Sequence, residues 1–355
     1  EPFTLTAFAI RATARTNAVS RLNAEVCDRM WRHLRPEVPA TEPVIRPITN
    51  GVHTASWCGR AVRQLFDRVV GGDWQERLLE PSAWAAVARV PDQELWAAHL
   101  VQKERLVRFV RSRLREQFAR HGRSPDDLRA LDAWFDPNVL TLAFARRFAT
   151  YKRVWLVFSD LDRLRAMVSD PARPVQIVFS GKAHPADRPG QDLIRRTVAM
   201  GLDPALRGRV CFLEDYDMRI AAMLVQGADV WLNTPRRPLE ASGTSGQKAA
   251  VNGVLNVSIL DGWWPEGFDG ENGWAIVPAG EGLDEARQDE ADAAALYRLL
   301  ETEVIPTYYD RDASGVPRRW IARMKRAIAT ITPRFSASRM VREYVEQAYL
   351  PAARG

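Results

Sequence analysis

The residues richest in chemistry run Glu240-Ala241-Ser242-Gly243-Thr244-Ser245-Gly246-Gln247-Lys248. A Gly/Ser/Thr-rich loop ends on a lysine, and apolar, helix-compatible residues follow. Such a loop can hold a phosphate on backbone N–H groups at a helix N-terminus. A lysine in that place is also a primary amine, able to form a Schiff base with an aldehyde cofactor. Composition sharpens this second reading. Of 50 basic residues, only Lys103, Lys152, Lys182, Lys248 and Lys325 are lysines. Arginine forms no imine and keeps its proton in proteins. Lys103 and Lys325 lie on charged helical stretches and read as survivors of compositional bias. Lys248 and Lys152 lie in motifs.

A second cluster is Arg146-Arg147-Phe148-Ala149-Thr150-Tyr151-Lys152-Arg153, with four cations in eight residues. Guanidinium forks and an ammonium at a strand-to-helix turn would hold a dianion. The segment alone does not identify that anion. The Gly243–Gly246 loop lacks the G-x-x-x-x-G-K-[ST] spacing and is no dinucleotide fingerprint. Glu240 and Ser242 either bond sugar hydroxyls or only cap the loop.

The elements that must position these groups are short apolar strands alternating with helices. Strands are predicted over Val139–Ala145, Pro174–Ser180, Arg209–Leu213 and Ala228–Leu232. Helices are predicted over Tyr151–Val168, Arg188–Met200 and Asp217–Gln226. That pattern gives an α/β fold, a doubly wound parallel Rossmann-like sheet with helical flanking segments. Ligands bind beyond the carboxyl ends of such strands. Arg146–Arg153, Gly181–Pro185, Glu214-Asp215-Tyr216 and Thr234–Lys248 all follow strands. Upstream, Ala14–Leu34 has helical spacing, Arg35 to Pro47 is a Pro-rich connector, and 56–131 reads as helices. Helices near Asp284–Glu303 and Arg318–Gln347 close the chain.

The 355 residues allow two domains, and a 46% hydrophobic fraction supports a large core. The net charge of +6 comes from basic residues interspersed with acids, a solvated arginine surface and not a nucleic-acid stripe. Cys27, Cys58 and Cys211 show no zinc spacing and read as free thiols of a reducing cytoplasm. The histidines show no metal-ligand spacing either. No apolar run reaches membrane-spanning length.

Thr234-Pro235-Arg236-Arg237-Pro238-Leu239, Glu240–Lys248 and Asn252-Gly253 together resemble the pyridoxal-phosphate loop of the α-glucan (glycogen, starch, maltodextrin) phosphorylases. The shorter bacterial branch is the nearest match. The likeness continues through Thr49-Asn50-Gly51-Val52-His53-Thr54, Arg146–Arg153, Gly181–Pro185, Glu214–Tyr216, Asp261-Gly262-Trp263-Trp264 and Asn272-Gly273-Trp274. It covers nearly the whole chain and implies the C-terminal half of a GT-B glycosyltransferase. The implied division is 1–50, the end of a first domain; 51–134, a helical connection; 135–335, the Rossmann-like cofactor domain; and 336–355, a closing helix and tail.

By this resemblance Lys248 is the Schiff-base lysine for pyridoxal 5′-phosphate, whose phosphate acts as acid and base. Thr244, Ser245 and Gly246 cradle that phosphate. Arg147 and Lys152 clamp the phosphates, with Arg146 alongside. Tyr216 lines the cofactor. Asn50, Glu240, Ser242 and Gly243 hold the glucosyl unit. The implied reaction is reversible phosphorolysis of α-1,4-glucan by inorganic phosphate to glucose 1-phosphate. The implied partners are a missing N-terminal domain and a second copy of the chain. Such a half is expected to be inactive alone. Three departures stand out: Gln247 replaces the family's methionine, Ala18 and Ala24 replace glycines, and the family's Gly-rich phosphate loop and glucose-site histidine, which belong to its first domain, have no equivalent in this sequence. Two other readings stay open: a non-catalytic glucan- or partner-binding fragment, and a sugar-nucleotide-dependent glycosyltransferase resembling glycogen synthase.

Overall fold

The computed structural model describes residues 3–277 and 283–354. Two short strands, β1 (Thr16–Ala18) and β2 (Ile45–Pro47), pair in parallel beside a small core of Ile10, Ala18, Ala24, Leu34 and Ile45. The main sheet comprises β3 (Leu140–Arg147), β4 (Val175–Lys182), β5 (Val210–Leu213), β6 (Val230–Asn233), β7 (Leu255–Ile259) and β8 (Gly273–Ile276). All its pairs are parallel, in the order β5-β4-β3-β6-β7-β8. That is the doubly wound order of a Rossmann-like domain, and the chain reverses direction between β3 and β6. This topology and its helices fit the GT-B-like fold expected.

Both faces of the sheet are covered, so the strands read as nearly continuous apolar runs. Along β3, Leu142 and Phe144 enter one hydrophobic cluster while Ala143 and Ala145 enter another. That alternation is the two-residue period of a pleated strand. The helices Leu161–Ser169, Arg188–Leu202 and Met218–Gly227 start after Asp160, Asp187 and Asp217, whose carboxylates accept first-turn N–H groups. Each aspartate satisfies an orphan donor and complements the helix dipole.

Sequence periodicity misreads three places. Ala14–Leu34 is not one helix: β1 comes first, and Ser20 caps a helix over Arg21–Trp31. Parallel pairing with β2 overrides the helical spacing. Neither Ala18 nor Ala24 has a positive φ, so the lost glycines leave this backbone unstrained. Tyr151–Val168 breaks into short 3-10 turns at Thr150–Lys152 and Val154–Phe158 before the α-helix begins. The break is Arg153, held at φ 49°. β7 and β8 were not foreseen, because Asn256, Ser258 and Gly273 interrupt their apolar runs.

The chain's end returns to its start. Val52 and Ser336 form a parallel bridge, and Arg339 donates to the Thr49 and Asn50 carbonyls at 2.7 and 3.4 Å. A Cβ on Gly51 would collide with the Ser336 carbonyl, so only glycine allows this approach.

Lys103 also corrects a sequence reading. It is no chance survivor of compositional bias: it is fully buried on the long helix Asp92–Arg120. Its ammonium bonds the Asp229 carboxylate, the Val139 carbonyl and the Tyr308 hydroxyl. His99 meets the other Asp229 oxygen at 2.7 Å, and Thr141 N–H donates to Asp229 as well. Lys103→Ala would leave that carboxylate without its cation, at a cost of about 3–5 kcal/mol. Chemical denaturation measures this, and a loss of about 1 kcal/mol or less would place the pair among weak surface bridges.

Candidate active site

The carboxyl ends of β3 and β6 face the crevice where the strand order reverses. β3 ends in Arg146 and Arg147, which the pleat sends to opposite sides. Arg146 turns inward: it bonds Asn233 at the end of β6, and its guanidinium lies 3.7 Å from the Glu240 carboxylate. Among the described residues its buried Nε and Nη1 have no hydrogen-bond partner. Burial lowers its pKa, and nearby Glu240 opposes that shift. Arg147 is exposed and donates to the Tyr151 hydroxyl at 3.2 Å. Lys152 is nearly buried, sits directly on the Glu240 carboxylate and lies 4.7 Å over the Tyr151 ring.

The Glu240–Lys248 loop is clamped along its length. Glu240 N–H donates to Asp261 Oδ2 at 3.0 Å, and Trp263 N–H donates to the Ser242 carbonyl at 2.9 Å. Ser20 donates to the Ala241 carbonyl at 2.6 Å, tying in the first segment. Gly243 takes φ +73°, a left-handed turn that glycine adopts without strain. Ser242 is buried, with its hydroxyl 3.1 Å from the Gly243 carbonyl.

Thr244 then leads into the helix Ser245–Val251, whose first bond runs from Lys248 N–H to the Thr244 carbonyl at 3.2 Å. The N–H groups of Ser245, Gly246 and Gln247 precede that bond and have no partner within the helix. The Ser245 hydroxyl accepts from the Trp231 indole at 3.0 Å. Gln247 is buried and donates to the Asn50 carbonyl at 3.0 Å, so this departure ties the helix to the Asn50 turn.

The Lys248 ammonium lies 4.0 Å over the Trp57 ring. Among the described residues no carboxylate or hydrogen-bond acceptor is bound to it. Burial lowers its pKa and raises the share of neutral amine, the form that attacks a carbonyl. Tyr216 is half-buried; burial raises its pKa, and the charge of nearby Arg146 opposes that.

Direct contacts thus join Arg146, Lys152 and Glu240, with Tyr216 in the electrostatic reach of Arg146. Lys248, Gln247 and Asn50 form a second group on the neighbouring helix and turn. Among the described residues no hydrogen bond or ion pair links Lys248 to the cation cluster. Lys182 is exposed, and Glu214 is drawn outward to Arg120 and His121. The sequence did not reveal Trp57, Asn233 or Asp261 as site residues. Asn233, a polar residue ending the apolar strand Val-Trp-Leu, was a usable signal; Trp57 carried none.

Asp261 is buried, and desolvation pushes its carboxyl up to about 6, against N–H donation from Glu240 and Gly262. With the folded pKa above the ordinary 3.8, the folded chain binds more protons, so stability falls as pH rises from about 4 to about 6. Unfolding free energies of wild type and Asp261→Asn, compared across that window, should show wild type losing ground. A pH-independent difference would refute this.

A family model described as carbohydrate phosphorylase matches residues 3–266. The chain is 45% identical over 352 residues to the maltodextrin phosphorylase of Thermococcus litoralis, covering 99% of this chain and 41% of that protein. It is 45% identical to the glycogen phosphorylase of Aquifex aeolicus, across 98% of this chain and 50% of that one. Glycogen phosphorylase of Mycobacterium tuberculosis is 44% identical, at 99% and 40% coverage. The chain therefore spans half or less of the length of these relatives. No helix among the described residues is long and apolar enough to cross a membrane. With the match running from the first strand pair through the Lys248 helix, the chain belongs to the carbohydrate phosphorylase family.

Proposed function

We propose that this chain supplies the cofactor-holding side of an α-glucan phosphorylase site. The reaction would convert α-1,4-glucan and inorganic phosphate into glucose 1-phosphate. One observation carries the reading: among the described residues the Lys248 amine meets no carboxylate, it is lowered in basicity, and it lies one turn along from the N–H groups of Ser245, Gly246 and Gln247, which have no partner within their helix. An aldehyde-bearing phosphate suits that arrangement, with the amine for its carbonyl and the N–H groups for its anion. The Nε and Nη1 of Arg146, without a hydrogen-bond partner among the described residues, are further donors suited to phosphate. The residues therefore fit pyridoxal 5′-phosphate.

Lys248 would anchor the cofactor, Thr244, Ser245 and Gly246 would cradle its phosphate, and Tyr216 would line it. When bound, the group would supply a phosphate able to give and take a proton beside the substrate phosphate. Arg147 and Lys152 would hold that substrate phosphate, with Arg146 at their side. Two phosphates in contact repel strongly, and this cationic cluster offsets the repulsion. Arrival of phosphate would draw Lys152 from Glu240 and free that carboxylate to accept sugar hydroxyls. Asn50, Ser242 and Gly243 would complete the glucosyl site. A phosphate beside the forming glucosyl cation would stabilise it electrostatically. The division at 50, 134 and 335 belongs to this proposal, and the separate small core near residues 10–45 supports its first boundary.

The test is borohydride reduction of the chain with pyridoxal phosphate, followed by peptide mapping. A pyridoxyl group on Lys248, abolished in Lys248→Arg, is expected. An adduct on Lys152 or Lys182 in place of Lys248 would overturn the assignment. In Gly262→Ala a Cβ would strike the Ser242 carbonyl from a left-handed φ of +59°, so trapping should weaken as the loop shifts. Trapping at the wild-type level would show that the loop is not held by this approach.

A further inference from the structure

We infer that a cavity between the residue 16–49 segment and the chain's closing helices is a second anion site, taking a small phosphate-bearing ligand. Its volume is ≈ 570 Å³, within the range of small-molecule pockets. None of Arg146, Arg147, Lys152 or Lys248 lines it. Arg21, Arg46, Arg334 and Arg339 do, facing Glu266 and Glu343.

Both carboxylates already have partners. Glu343 takes a 2.8 Å bond from Arg339. Glu266 accepts from the Thr49 hydroxyl at 2.9 and 3.0 Å and from the Arg21 backbone N–H at 3.1 Å. The Arg21 guanidinium stands further off, at 3.6 Å. Among the described residues no acceptor or carboxylate is bound to the side chain of Arg46 or Arg334. Desolvation lowers the Arg334 pKa most; the charges of Arg21 and Arg339 lower it as well, and those of Glu266 and Glu343 oppose the shift. Like charges therefore converge here without enough counter-charge of the chain's own. Guanidinium forks match phosphate oxygens in pairs, whereas a monatomic ion satisfies fewer of their donors.

The elements around the cavity come from distant parts of the sequence. Arg21 opens the helix Arg21–Trp31, Arg46 lies in β2, and Arg334 ends the helix Arg318–Arg334. A ligand bridging them would span the junction where the chain's end returns to its start. Thr49 lines the same cavity and precedes Asn50, the residue bonded to Gln247.

Calorimetric titration of the full chain at constant ionic strength, with inorganic phosphate and with glycerol 3-phosphate as probes, tests the site. R46Q/R334Q should weaken the response at least about tenfold, the effect expected from losing one charge-assisted contact. Lys248 trapping in that variant should stay unchanged, which keeps this test separate from the cofactor assignment and reports that the variant is folded. Tighter binding of glycerol 3-phosphate would assign the site to organic phosphates, and tighter binding of phosphate to the free ion. Affinity unchanged in R46Q/R334Q, or no binding of either probe to wild type, would overturn the proposal.

Discussion

One buried guanidinium holds together the two loops on which the site is built. Arg153 donates to the Thr234 and Pro235 carbonyls at 3.0 and 2.8 Å, and to Asp289 and Asp292 at 2.9 and 2.7 Å. Thr234 returns its hydroxyl to the carbonyls of Lys152 and Arg153, and Arg236 N–H reaches the Tyr151 carbonyl. The loop after β3 and the loop after β6 thus become one rigid unit at the point where strand order reverses. Arg153 adopts its left-handed backbone because this network over-determines it. Lysine could not replace it, since a single ammonium lacks the fork that serves two carbonyls and two carboxylates together. Lys152 on one side and Glu240 on the other inherit their placement from this joint.

The lysines show what composition does and does not reveal. Three of them sit in different physical settings. Lys103 is enclosed and neutralised by Asp229; Lys325 is held by Asp92 at 2.6 Å; among the described residues Lys248 has only an aromatic face beneath it. Scarcity made every lysine conspicuous, yet the sequence could not separate an enclosed ion pair from an unpaired amine. That distinction depends on partners such as Asp229 and Trp57, far away along the chain. For Lys248 the local loop was itself informative, since Gly243 and the helix start are features of adjacent residues.

The fold was legible where one period dominates. β3 and β4 carry long apolar runs between turn residues, and their register brings Arg146 and Arg147 beside Gly181 and Lys182. It was less legible where tertiary pairing outweighs local preference. β1 looks helical until β2 is placed beside it. β7 carries Asn256, whose buried side chain bonds the Gly246 carbonyl at 3.0 Å; the polar residue that hid the strand is one that supports the Lys248 helix. Function and fold compete for the same positions there, and periodicity registers only the fold.

Glu240 brings these points together. Its carboxylate rests on Lys152 and near Arg146, while its N–H is fixed by Asp261. At about 4 Å and an effective dielectric near 20, one such charge pair is worth roughly 4 kcal/mol before desolvation is counted. A carboxylate between two cations is therefore a strong local counter-charge, but among the described residues it leaves two Arg146 nitrogens without a hydrogen bond. A phosphate dianion brings more charge and more acceptor oxygens, so it can compete for the same cations. With its backbone anchored at Asp261, a displaced carboxylate would swing on a fixed pivot while the loop itself stays in place. A loop built this way can exchange its internal anion for an external one without losing Ser242 and Gly243 from their positions. That property, more than any individual cation, would suit this crevice to the proposed role of holding phosphate next to a sugar.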